Sequence, residues 1–161
     1  MEGMYRFESV NDYNILNNHK TLHPLVNVLD LSLANPRDWD GNKKVRLYFG
    51  FYCVFLKEFK GCDLRYGRQY YDYQEGTLLF VSPGQIMDVE TDGQIYQPIG
   101  HVLAFHPDLI HGTALGQNID SYNFFGYHTN EALHISDEER EIVMDCLSKI
   151  KYELNKGVDK H

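Results

Sequence analysis

The sequence has few cysteines and none in a pair: Cys53, Cys62 and Cys146 are odd in number, widely spaced and outside any CxxC motif. That spacing suggests neither a disulfide framework nor a structural zinc knuckle, and reduced thiols are expected. Basic charge is short as well. Fifteen Lys and Arg stand against 23 Asp and Glu, a net charge of -8. Backbone-driven binding to DNA or RNA depends on Lys and Arg displacing counterions, so this chain alone is not expected to bind nucleic acid strongly. No apolar run approaches the length of a membrane span, and the opening MEGMYRFESVND has no apolar core of a secretion signal. A cytoplasmic location without a membrane partner is expected. The chain also lacks a GxSxG elbow, a P-loop, a GxGxxG after a strand and an HExxH, and it has no internal repeat or low-complexity tract.

What the chain has in excess is aromatic: 12 Tyr and 9 Phe beside one Trp, a composition that favours strands. LVNVLDLSL (25–33) alternates with period two, and the turn formers ANPRDWDGNKK follow it. VRLYFGFYCVFLKEF (45–59) is long and β-branched, with Gly50 near its middle, where a missing side chain permits a bend. DLRYG-RQYYDY, TLLFVS, IMDVE and HVLAFH are shorter candidates separated by QEG, SPGQ and TDGQ. Strands this short and regular, with no helical segment between them, predict an antiparallel sandwich or barrel. NFFGY (123–127) reads as a short closing strand. At 161 residues one core is enough.

The two ends differ from this middle. Residues 1–22 are polar and Asn-rich and read as an arm, residues 23–128 as the β unit and residues 129–161 as a helical segment. In that last segment Ser136 and Glu139 form a capping-box pattern. Ile142, Cys146, Ile150 and Leu154 then recur every four residues as one apolar stripe, and Asn155 and Gly157 supply a stop. A single such helix must bury its stripe on the β core, on a second helix or on a partner chain.

His101, His106 and His111 are evenly spaced in GHVLAFHPDLIHGT, as if for a metal. In a strand, however, His101 and His106 point to opposite faces, and His111 lies beyond Pro107 in another element. His106 capping a turn before Pro107 is the simpler reading. Metal-binding cupin enzymes carry an HxH pair in an early strand, and no HxH occurs here; the second cupin motif is only echoed by Gly76, Pro83 and Gly84, with Met87 or Asp88 near the ligand position. No metal or other cofactor is therefore expected. Arg65, Arg68 and the tyrosines 66, 70, 71 and 73 could stack on a polar ligand or simply fill the core and its surface.

HPLVNVLDL (23–31), LRYGRQYYDYQEGTLLFVSPGQ (64–85), LAFHPDLIHGT (103–113) and NEALHIS (130–136), followed by the acidic helix start, give a specific likeness. The chain resembles the N-terminal regulatory domain of AraC-type transcriptional regulators, in the form common among Bacteroides-like bacteria, over nearly its whole length. The resemblance implies a mainly β, cupin-like barrel of the double-stranded β-helix or jelly-roll kind with a C-terminal α-helix, holding no metal. It implies a small-molecule effector, a sugar among the candidates, and a homodimer. It also implies DNA binding only through a helix-turn-helix domain that nothing after Ser136 resembles. On that reading Tyr48, Tyr52, Tyr70 and His101 are inward strand positions offering polar contacts to the effector, and Ile142, Cys146, Ile150 and Leu154 serve dimerisation. No catalytic residue is expected. The rivals are a metal-dependent cupin enzyme with non-standard ligands and a pure dimerisation module with a solidly packed barrel.

Overall fold

A computed structural model describes residues 2–57, 63–66, 69–71, 76–122, 125 and 132–159, with the backbone alone described at 2, 63–66, 69–71, 158 and 159. In chain order the elements are β1 (Glu2–Phe7), α1 (Val10–Leu16), β2 (Val26–Asp30), β3 (Lys44–Phe49), β4 (Tyr52–Lys57), β5 (Asp63–Tyr66) and β6 (Gln69–Tyr71). There follow β7 (Thr77–Val81), β8 (Ile86–Glu90), β9 (Gly100–Phe105), α2 (Pro107–Ile110), α3 (Ala114–Asn118), β10 (Leu133–His134) and α4 (Asp137–Asp159). The strands form two five-stranded sheets, ordered β1-β3-β8-β5-β6 and β10-β7-β4-β9-β2. All pairings are antiparallel except β1 with β3.

The long aromatic run expected to bend at Gly50 does so and changes sheet there. Its first half is β3 and its second half is β4. Gly50 lies so close to the chain end of β1 that a Cβ there would meet the Glu8 carbonyl oxygen at 2.9 Å, and its N–H donates to the Phe7 carbonyl at 2.8 Å. Only glycine fits such an approach without displacing the backbone. β7 and β8 turn the same corner through Ser82 to Gln85, where Gly84 takes φ +87° and donates to the Phe49 carbonyl at 2.8 Å. The two bent ribbons pair along their length, so the sheets are joined along one side.

Between the sheets lies one apolar cluster. Val45, Leu47 and Phe49 of β3, with Met87 and Val89 of β8, face Cys53 and Phe55 of β4, Leu79 and Val81 of β7, and Val102 and Ala104 of β9. Phe49 sits at its centre, edge-on to Tyr13, Phe51 and Phe55 with ring centroids 5.4 to 6.0 Å apart. Full burial of one such side chain contributes roughly 1.5–3 kcal/mol, so this cluster is the main source of stability.

The expected N-terminal arm is instead part of that core. β1 extends the first sheet, and Phe7, Val10 and Tyr13 belong to the central cluster. Ser9 and Asp12 cap α1 reciprocally: the Ser9 hydroxyl accepts from the Asp12 N–H, and the Asp12 carboxylate accepts from the Ser9 N–H, each at 3.2 Å. Asn14 and Asn17, of the stretch that suggested an arm, are fully buried together with Asn27 of β2 because each amide finds partners. Asn27 donates to Asn14 at 2.9 Å, Asn14 donates to Thr21 at 3.0 Å, and Asn17 donates to the Tyr13 carbonyl at 2.8 Å while accepting from buried Arg37. The Arg37 guanidinium also lies 5.3 Å from the Trp39 ring centre, and Trp39 donates to the Tyr96 hydroxyl at 2.8 Å.

Among the described residues the strands form two facing sheets, as in the sandwich alternative, and no ladder joins them on their second side. α4 runs through Asn155 and Gly157 to Asp159 instead of stopping at them, with Gly157 facing open space. The closing strand read at 123–127 lies outside the described residues apart from Phe125; the described strand in that part of the chain is β10, against β7.

Candidate functional site

Strand alternation decides where the expected polar set lies. In β3 the core side chains are Val45, Leu47 and Phe49, so Tyr48 faces outward beside Lys44 and Arg46, with the Arg6 guanidinium 4.3 Å from its ring centre. Tyr52 faces away from the inter-sheet core, on the outer face of the second sheet. There it stacks on Phe105 at 5.0 Å and meets Phe125 edge-on at 5.2 Å. Burial, with the Asp120 carboxylate beside it, raises its phenol pKa. His101 is on the same outer face, but four rungs away along the β4–β9 ladder. Tyr70 pairs with Arg65 in the β5–β6 hairpin, and its side chain lies outside the described structure. The inward reading was thus one residue out of register at Tyr48, Tyr52 and His101, and these three side chains are not brought together.

The outer face of the second sheet is where recesses form, because α4 crosses it. Leu147, 7% exposed, is the helix's most buried anchor, and Lys151 donates to the Asn27 side chain at 3.3 Å and the Val28 carbonyl at 3.2 Å. Ser136 and Glu139 cap the start of α4 as expected, through bonds of 3.0 and 3.1 Å. Of the expected stripe, Ile150 and Leu154 are half-buried, whereas Ile142 is 59% exposed and Cys146 is exposed too.

A recess lies on each flank of α4. The smaller, of about 270 Å³, is lined by His19, Asp30, His101, Ser148 and Lys151, with Val28, Leu33, Met144 and Leu147 around them. Three of its polar residues, His19, Asp30 and Lys151, are already bonded to the fold. His19 Nδ1 is 2.7 Å from the Asn17 carbonyl and so carries the proton, leaving Nε2 to accept from the Asp30 N–H at 3.0 Å. Burial first, and then the nearby Lys151 charge, lower the His19 pKa against the opposing pull of the Asn17 carbonyl. Burial likewise lowers that of Lys151. Burial pushes Asp30 upward, but the Ser32 hydroxyl and N–H outweigh it, helped by His101, and leave the carboxyl pKa lowered. These groups clamp α1, β2 and α4 together.

The larger recess, of about 520 Å³, is an apolar groove. Its floor is Val26, Leu103 and Phe105 from β2 and β9. One wall is Leu109, Ile110 and Leu115 from α2 and α3, and the other is Ile150 and Leu154 from α4. Lys149 and Glu153 are its charged lining residues, and Lys149 pairs with Asp145 at 2.8 Å. The α2–α3 wall is set by local sequence: His106 Nδ1 accepts from the Asp108 N–H, Pro107 opens α2, and Thr113 caps α3.

The evenly spaced histidines separate as their spacing implied. His101 is in β9, His106 is the N-cap of α2, and His111 is an exposed residue at its end. Among the described residues no three His, Cys, Asp or Glu side chains converge as a metal-binding group. Cys53 is buried and Cys146 exposed, both as free thiols. Lys151, His19 and the groove floor were not singled out from the sequence. A signal for the floor was present, since HVLAF is apolar on both faces, which marks a strand covered on both sides. No protein-family model matches the chain, and a search of the curated proteins returns no significant match.

Proposed function

We propose that this chain is the effector-sensing and self-association part of an AraC-type transcription regulator, its two curled sheets forming a cupin-like fold. In the functional protein it would control an attached helix-turn-helix domain, itself performing no chemistry on the effector. The observation that carries this reading is the seat of α4. The helix is held at Leu147 and Lys151, while one flank carries the apolar series Ile142, Cys146, Ile150 and Leu154, two of them turned to solvent. An amphipathic helix with an uncovered apolar flank is an association surface. A second copy covering Ile142 and Cys146 would bring two DNA readers together, as two-fold operators require.

Control follows from population shift. An effector that binds one seat of α4 more tightly than another biases the helix by that difference in affinity and no more. Sedimentation velocity over a range of concentrations tests the association directly. The wild-type chain is expected to pass from monomer to dimer, and Ile142→Glu, a change at an exposed position, is expected to stay monomeric. A wild-type chain that stays monomeric throughout contradicts the proposal.

A further inference from the structure

We infer that the groove between the second sheet and α4 is a binding site for a small, uncharged, largely apolar molecule. The inference rests on the sensing role proposed above for its purpose, and on the groove alone for its chemistry. The described inward side chains of β3, β4, β7, β8 and β9 pack against one another as a single apolar cluster, whereas the groove is open.

The groove has the size of a ligand site. Its volume of about 520 Å³ falls within the roughly 300–1,000 Å³ typical of small-molecule pockets. It is also built before any ligand arrives. Gly116 of α3 approaches α2 so closely that a Cβ there would lie 2.1 Å from the Ile110 carbonyl oxygen, and Thr113 donates its hydroxyl proton to that same carbonyl. Tyr52 stacks on Phe105 of the floor and braces that ring from the side. A wall and floor fixed in this way reduce the ordering cost of binding.

Charge selects the class of occupant. The groove's two charged lining residues are of opposite sign, and Lys149 is already bonded to Asp145. No lining charge is left buried to compensate an ion, and moving an ion into an apolar recess without a partner is costly. The chain's net charge of -8 further opposes an anion. Leu109 and Leu115, 37% and 43% exposed, present apolar surface to water, which an apolar ligand would displace favourably. Such a ligand would touch Ile150 and Leu154, two residues of the series that Ile142 and Cys146 continue, and so act on the flank proposed for self-association.

The test uses N-phenyl-1-naphthylamine, an uncharged fluorophore that brightens in apolar sites, with the anionic 8-anilinonaphthalene-1-sulfonate as comparison. The full chain is expected to bind the neutral dye saturably, one per chain, and more tightly than the anionic one. Leu103→Trp, which fills the floor, and Leu115→Glu, which places a carboxylate on an exposed part of the wall, are each expected to weaken binding at least tenfold while the far-ultraviolet circular dichroism is unchanged. Absence of saturable binding, undiminished binding in both variants, or preference for the anionic dye overturns the assignment. So does self-association that is lost in Leu103→Trp while the dye binds only the monomer, since a second copy would then be the occupant of the groove. Sedimentation in the presence of the dye separates the two proposals. Binding without any change in association sustains the site and counts against its sensing role, whereas association without dye binding sustains self-association and removes the site.

Discussion

His19 is held in one tautomer by two backbone groups, and that arrangement makes it sensitive to acid. Protonating Nε2 would set a donor against the Asp30 N–H that now donates to it. Burial and Lys151 place the folded pKa below the ordinary imidazole value of 6.5, so between the two values the unfolded chain binds more protons than the folded one. The stability contributed by neutral His19 is therefore complete above pH 6.5 and is lost as the pH falls through the folded pKa. Thermal denaturation across this range is expected to show the midpoint of the wild-type chain falling more steeply than that of His19→Gln, whose amide oxygen accepts the same bond without titrating. Parallel curves would show that His19 does not titrate in the fold. This residue was not legible in the sequence, because the groups that set its pKa arrive from β2, at Asp30, and from α4, over 130 positions away at Lys151. Tyr48 was legible and was misread. In KVRLYF it shares its face with Lys44 and Arg46, which already marks that face as the wet one.

At the level of elements, the corner at Gly50 is the feature that turns one long aromatic run into strands of two different sheets. Gly50→Ala would push a methyl group against the Glu8 carbonyl, so we expect a loss of about 1–3 kcal/mol in urea denaturation, as for other forced overpacking. A neutral outcome would mean that the ribbon bends without needing the close approach to β1. The bend was readable because a glycine inside a β-branched run weakens the strand unless it serves a bend or a close backbone approach. The α4 cap was readable because Ser136 and Glu139 are the residue types a capping box uses. The same signal was present for α1 at Ser9 and Asp12 but was outweighed by the surrounding asparagines. Composition alone cannot tell a solvated amide from one whose partners are 13 residues away, as with Asn14 and Asn27. β4 and β9 hid their facing for the opposite reason: Tyr52, Leu103 and Phe105 on the outer face are as apolar as Cys53, Val102 and Ala104 on the inner one, so alternation carries no contrast.

For the molecule as a whole, the sheet-rich architecture with a terminal helix was legible because strand length and turn spacing are local signals. The groove was not, since it needs β2, β9, two short helices and α4 to meet, and only the fold brings those segments together. The parts join as a packed two-sheet body, a helix seated on its outer face, and an apolar flank on which, in our proposal, a ligand and a second copy would both act. We propose that this body governs a DNA reader through self-association. The most direct measurement fuses the full chain to a helix-turn-helix domain that binds its operator only as a dimer and reads repression of a reporter in cells. Repression by the wild-type fusion, and its loss in Ile142→Glu at equal expression, is the predicted result. A well-expressed wild-type fusion that leaves the reporter unrepressed would contradict the claim.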